Sequence, residues 1–138
     1  MICLSLAIAS VGRAMQRQSD NRHHLIAQAM AFMMHYRNLR GSNYETLSEV
    51  EYNFGRVFHQ LGLYSQAAKH YESVFLLAEK ELVKVYSIVL LASFLNYVQE
   101  VKCDSDCTQE AAYNLAMIYT ITGATGLAES IYSNWLSF

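Results

Sequence analysis

Tyr52-Asn-Phe-Gly-Arg-Val-Phe58 aligns residue for residue with Tyr113-Asn-Leu-Ala-Met-Ile-Tyr119, and the same offset brings Gly62 onto Gly123, Ala67 onto Ala128 and Tyr71 onto Tyr132. This is one helical hairpin written twice. Gly55 and Ala116 are small where two helices must cross closely, and Phe58 and Tyr119 fill the gap one turn later. Gly62 and Gly123 permit the positive φ that ends a first helix. Ala67 and Ala128 let a second helix lie tight on the first, with Tyr71 and Tyr132 plugging the hairpin from the far side.

Small residue, aromatic, glycine, alanine and aromatic at these spacings form the tetratricopeptide pattern. Three departures stand out. Glu51 and Ala112 occupy the tryptophan-like position, the proline that closes a repeat is missing from both copies, and the copies lie farther apart than the usual repeat of about 34 residues. The fold expected is therefore all-α, with tetratricopeptide-like hairpins stacked as a short superhelix.

Working outward, the apolar spacing predicts helices over 2–18, 21–38, 45–61, 65–80, 81–101, 109–122 and 125–136, with Ser19 or Asp20 and Thr108 as N-caps. Residues 1–41 form a degenerate hairpin, 44–80 and 108–138 are the two repeat hairpins, and 81–107 is an extra helix and loop. The abrupt apolar start suggests a fragment of a longer protein. Helix 21–38 is apolar on most of its circumference, which predicts neighbours on both sides. The apolar run 83–98 exceeds one helical face. Its surplus is expected to meet the N-terminal helices, a second copy of the chain or another subunit.

The totals agree. The chain has 138 residues, 53% of them hydrophobic and 16% charged, with no proline. That is enough apolar surface for a core, and the lack of proline suits uninterrupted helices. No stretch is long and apolar enough to predict a membrane span. Three cysteines, Cys3, Cys103 and Cys107, make no disulfide framework. The net charge of −2 is unevenly spread: Arg13, Arg17, Arg22, Arg37 and Arg40 stand against Asp20 alone in the first 42 residues.

Two surfaces are candidates for function. In a stack of hairpins the first helices line the concave face, which here would present Glu49, Tyr52, Asn53, Arg56, His59 and Gln60, then Glu110, Tyr113, Asn114 and Met117. Tyr52, Asn53, Arg56, His59, Tyr113, Asn114 and Met117 are the expected protein-binding groove, where aromatics supply buried area and amides both donate and accept. Asn53 and Asn114 suit pairing with a peptide backbone, and suit equally well a bond to a neighbouring helix. Arg56 would select an acidic residue. The second surface is basic: Arg13, Arg17, Arg22, His23, Arg37 and Arg40. It fits an acidic protein or, in the alternative reading, a nucleic acid contacted weakly or indirectly, since no DNA-reading motif accompanies it.

Catalytic chemistry is not expected. Cys103 and Cys107 have no second pair at zinc-like spacing, so neither metal nor cofactor is anticipated. His59 and His70 lie on adjacent helices without a carboxylate motif, and there is no phosphate-cradling glycine loop and no nucleophile elbow.

One longer likeness adds to these readings. Asp20-Asn-Arg-His23, Ala31-Phe32, Tyr36 and Leu39-Arg-Gly41 are followed by Tyr52-Asn-Phe-Gly55, His59-Gln-Leu-Gly62, Ala112-Tyr-Asn-Leu115, Ile118-Tyr119 and Gly123. Together they resemble the C-terminal end of the tetratricopeptide-repeat subunit of RNA polymerase III transcription factor IIIC. The resemblance implies a nuclear scaffold that acts in transcription of transfer RNA genes and holds sister subunits and the initiation factor IIIB. Residues 80–107 depart from the family pattern, being longer, more apolar and without its prolines.

Overall fold

The computed structural model describes residues 2–16, 20–41, 43–94 and 107–136, with backbone alone at 45 and over 89–94. These residues form six helices and no strand: α1 (Ile2–Ala14), α2 (Arg22–Arg40), α3 (Tyr44–Gln60), α4 (Tyr64–Phe94), α5 (Thr108–Ile121) and α6 (Thr125–Trp135). They pair as three hairpins, α1–α2, α3–α4 and α5–α6. The hairpins join through α2 against α3 and α4 against α5, and the first helices touch in succession, α1 with α3 and α3 with α5. The all-α hairpin stack read from the repeat is the observed architecture.

The two repeats close their first helices identically. Gly62 (φ 77°) donates its N–H to the His59 carbonyl and Leu63 donates to that of Phe58. Gly123 (φ 82°) donates to Thr120, and Ala124 to Tyr119. This pair of bonds satisfies carbonyls left open at a helix C-terminus and requires the left-handed residue that glycine supplies. Leu63 and Ala124 then accept from the first turns of α4 and α6, so turn and helix start are also repeated.

The tight crossing falls at Gly55. A Cβ there would stand 2.5 Å from Cε1 of Tyr71, so the absence of a side chain on α3 is what admits the ring from α4. Ala67 and Ala128 are buried, as a close second helix needs. One apolar cluster joins α1, α2 and α3 around Val11, Met33, Tyr36, Val50 and Phe54. A second joins α4 and α5 around Tyr71, Val74, Leu115 and Ile118, with Trp135 of α6 stacked on Phe75 at 4.7 Å.

Several expectations need correction. The proposed break between 80 and 81 does not exist, because α4 runs through it for 31 residues. Ala78-Glu-Lys-Glu-Leu-Val-Lys84 holds no glycine, proline or capping residue, and Glu81 pairs with Lys84 at 3.0 Å along the helix. The hairpin partner α3 has only 17 residues, so the far part of α4 outruns it. Among the described residues α4 makes no packing contact with α1 or α2. Val83, Tyr86 and Ile88 are exposed and Val85 is half-buried, so over 83–88 contact with the N-terminal helices is ruled out; 89–98 lie outside the described side chains.

The outer face of α2 is open: Met34 and Leu39 are exposed, and only Ala29, Met33 and Tyr36 are buried. Tyr132 is 44% exposed where its counterpart Tyr71 is 0%, because α5 covers α4 and no described helix follows α6. The caps are Asn21 and Cys107, one residue away from the expected Asp20 and Thr108; the other candidate, Ser19, lies outside the described residues.

Candidate functional site

The successive contacts of α1, α3 and α5 create a common face, and a cavity of about 270 Å³ opens on it. Asn53, Arg56, His59 and Gln60 of α3 line it together with Asn114 of α5. Ile8 of α1, Val57 of α3 and Tyr71 of α4 complete the lining. Four of the seven expected groove residues therefore meet in one place. Those of α3 do so because positions 53, 56 and 59, with 57 and 60 beside them, recur at spacings of three and four, which puts them along one side of the helix.

Tyr52 sits beside the cavity. Its ring lies 6.1 Å from that of Tyr71, the Arg56 guanidinium covers it at 5.8 Å, and its hydroxyl accepts a long bond of 3.5 Å from Asn114 Nδ2. Burial raises the pKa of Tyr52, opposed by the positive charge of Arg56. His59 packs edge-on to Tyr64 and Tyr71, and burial lowers its pKa, so it is a neutral ring at neutral pH. Arg56 is exposed and makes no ion pair among the described residues.

The other groove residues are placed differently. Asn53 is buried and bonds inward, donating to the Glu49 carbonyl at 2.9 Å and to the Tyr36 hydroxyl of α2 at 3.3 Å. Its amide thus serves the helix–helix reading of that asparagine, with an edge on the cavity, and does not stand free at the surface. Tyr113 is exposed and Met117 half-buried, and neither lines the cavity. Glu49 turns to α2, where it accepts from Tyr36 at 2.7 Å and pairs with Arg40. Ile8, Val57 and Tyr71 were not foreseen as lining residues. Tyr71 reads from sequence as a hairpin plug, and only the α1–α3 contact shows that Ile8 reaches this face.

The basic surface does not hold together as one patch. Arg37 donates to Glu51 at 2.9 Å and Arg40 pairs with Glu49, so both are committed to the α2–α3 interface. Arg22 and His23 lie 14 to 18 positions earlier on α2, roughly 20–27 Å away along the axis. Arg13, Arg22 and His23 are exposed, and Arg22 Nη2 lies 3.7 Å from Met15 Sδ. Arg17 is outside the described residues. Glu51 also receives His70 Nδ1 at 2.7 Å, and the His70 ring stacks on Phe54 and Phe58. His59 and His70 thus take separate partners. No cluster of metal-ligating side chains occurs among the described residues, and Cys103 is not one of them.

No protein-family model matches the chain. Individual proteins do. It is 38% identical over 138 residues to transcription factor tau subunit sfc4 of Schizosaccharomyces pombe, covering 98% of this chain and 13% of that protein. It is 30% identical to the transcription factor tau 131 kDa subunit of Saccharomyces cerevisiae, over 99% of this chain and 11% of the relative. It is 32% identical to human general transcription factor 3C polypeptide 3, over 98% and 13% respectively. The chain thus spans about an eighth of the length of these relatives. The likeness read from Asp20–His23, Tyr52–Gly55 and Tyr113–Leu115 is met along nearly its whole length, and the chain is a homologue of one segment of a transcription factor IIIC subunit.

Proposed function

We propose that this chain is a protein-docking segment of transcription factor IIIC, holding a segment of a sister subunit on the concave face formed by α1, α3 and α5. The observation that carries the reading is the cavity lined from all three of these helices, with polar side chains of α3 and α5 pointing to one opening. Such a face suits a peptide: apolar walls give buried area, and the amides and the guanidinium give orientation. The relatives are subunits of a transcription factor, which supports nuclear action beside other subunits, in RNA polymerase III transcription of transfer RNA genes. Initiation factor IIIB is a further candidate partner by the same resemblance. The self-association candidate is the exposed apolar stretch of α4 at Val83, Tyr86 and Ile88. The nucleic-acid alternative loses support, because two of its five arginines are consumed by Glu49 and Glu51.

The test is capture of purified factor IIIC subunits by the chain, compared with Arg56→Glu, Asn114→Ala and, as an outer-face control, Leu39→Ser. Concave changes should weaken capture at least tenfold with an unchanged circular dichroism spectrum, and the control should not. Capture lost only in the control, or of no subunit at all, refutes the reading.

A further inference from the structure

Tyr71 is fully buried, yet its hydroxyl has no hydrogen-bond partner among the described residues. A buried donor without an acceptor calls for an explanation, because native folds pair nearly all such groups. The ring is held in place by its fit against Gly55, so the hydroxyl cannot be withdrawn without losing that packing. It stands close enough to Tyr52 and Arg56 to feel both, and burial keeps it protonated well above neutral pH. The same cavity carries Arg56, a cation without an ion-pair partner among the described residues, and Asn114, whose amide makes a long bond to Tyr52.

We propose that this cavity is a recognition pocket for one acidic side chain, aspartate or glutamate, of the docked protein segment. The proposal rests on the concave face being a docking surface and names the chemistry that this face selects. Arg56 supplies the charge, Tyr71 and Asn114 supply neutral donors, and Ile8 and Val57 provide an apolar wall for the methylenes. A carboxylate matches this set in charge and valence. It brings one negative charge for the one guanidinium and lone pairs for the Tyr71 hydroxyl and the Asn114 amide, with the Gln60 amide also at the rim. A phosphate brings nearly two charges, and no second cation lines the cavity. A backbone carbonyl would leave Arg56 without its counter-charge. Glu110 influences Tyr52 but does not line the cavity, so it discourages loosely held anions without filling the pocket. Tyr71 is closed to solvent, and an arriving acid reaches it by drawing the exposed Arg56 side chain off the Tyr52 ring. The ion pair then replaces the cation–π contact.

The experiment is a nuclear magnetic resonance titration of the intact chain with Nα-acetyl-glutamate N-methylamide, its glutamine counterpart and its phosphoserine counterpart. The glutamate probe should shift the Arg56 Nε–H and Asn114 side-chain signals, and bind at least tenfold more tightly than the glutamine probe. Arg56→Gln should abolish that preference, and Tyr71→Phe should weaken glutamate binding several-fold; both substitutions are conservative enough to leave the helical spectrum unchanged. Equal response to glutamate and glutamine, or tighter binding of phosphoserine, overturns the proposal. So does silence toward all three probes; continued capture of a factor IIIC subunit through this face would then show that the docking reading survives without an acid pocket.

Discussion

Two tyrosines set side by side give the sharpest test of the polar accounting. Tyr36 and Tyr71 are both buried to within 1%. The Tyr36 hydroxyl donates to Glu49 Oε1 at 2.7 Å and accepts from Asn53 at 3.3 Å, whereas that of Tyr71 has no partner among the described residues. Tyr36→Phe removes a bond to a charged acceptor, worth about 1.5–3 kcal/mol. Asn53 loses the longer of its two bonds but keeps the Glu49 carbonyl, and Glu49 keeps Arg40, so the loss is that bond to the carboxylate plus one weak amide contact. Tyr71→Phe removes a group that was desolvated without compensation, a penalty of about 1–3 kcal/mol. The ring that fills the space over Gly55 stays. Tyr36→Phe should therefore lose stability while Tyr71→Phe gains about 1 kcal/mol, an opposite sign from the same chemical edit. Urea unfolding followed by circular dichroism, with the m-value checked for constancy, measures both. Equal losses in the two variants would mean that Tyr71 has an acceptor in the folded chain, and the reasoning about its cavity would fail with it.

Three further outcomes follow from the same packing. Gly55→Ala gains up to about 1 kcal/mol in helix propensity, but must force the Tyr71 ring from a 2.5 Å contact, an overpacking cost of about 1–3 kcal/mol; a net loss in thermal unfolding is expected, and a net gain would show that the ring can retreat. Arg37→Met leaves the nearly buried Glu51 with His70 alone and should cost about 1–3 kcal/mol, whereas Arg13→Met should change little; equal effects in chemical denaturation would refute the structural role of Arg37. His59 has its pKa lowered by burial, so below the ordinary histidine value of 6.5 the unfolded chain takes up protons more readily than the folded one. Its contribution therefore removes stability as pH falls from about 7 toward 5, and His59→Gln should flatten that slope relative to the parent; identical slopes would remove the burial argument.

Much of this was legible in the residues, and the limits have physical causes. Glycine-terminated first helices were readable because positive φ is a local demand that few residues meet, and Gly62 and Gly123 meet it in the same bonds. The Gly55–Ala67–Tyr71 crossing was readable because small-against-large packing leaves its mark at fixed spacing. Burial at the two ends of the stack was not. The pattern assigns Tyr71 and Tyr132, or Tyr52 and Tyr113, identical roles, but among the described residues a following hairpin covers only the first of each pair. The break expected near 80 has no local cause, since nothing in Ala78–Lys84 stops a helix there. The basic surface was drawn from charges counted along the chain. Counting ignores the glutamates on the next helix, and those decide where Arg37 and Arg40 point.

Glu51 shows why such pairing matters to the stack. The repeat pattern wants a large aromatic there, and a carboxylate is a costly replacement in a buried place. It is tolerated because three helices contribute to its surroundings: Arg37 from α2, and His70 from α4 stacked on Phe54 and Phe58. An aromatic could pack in several orientations with similar energy, since dispersion has little directional preference. A carboxylate with two directed partners has far fewer, so it penalises any slip of α2 or α4 along α3. The pair is weak evidence for added stability, since well-packed apolar groups often do as well. Its contribution is to register, and register is what the concave face requires. Arg56 and Asn114 converge on one cavity only if α3 and α5 keep their offset, and α4 is the helix that both of them pack against.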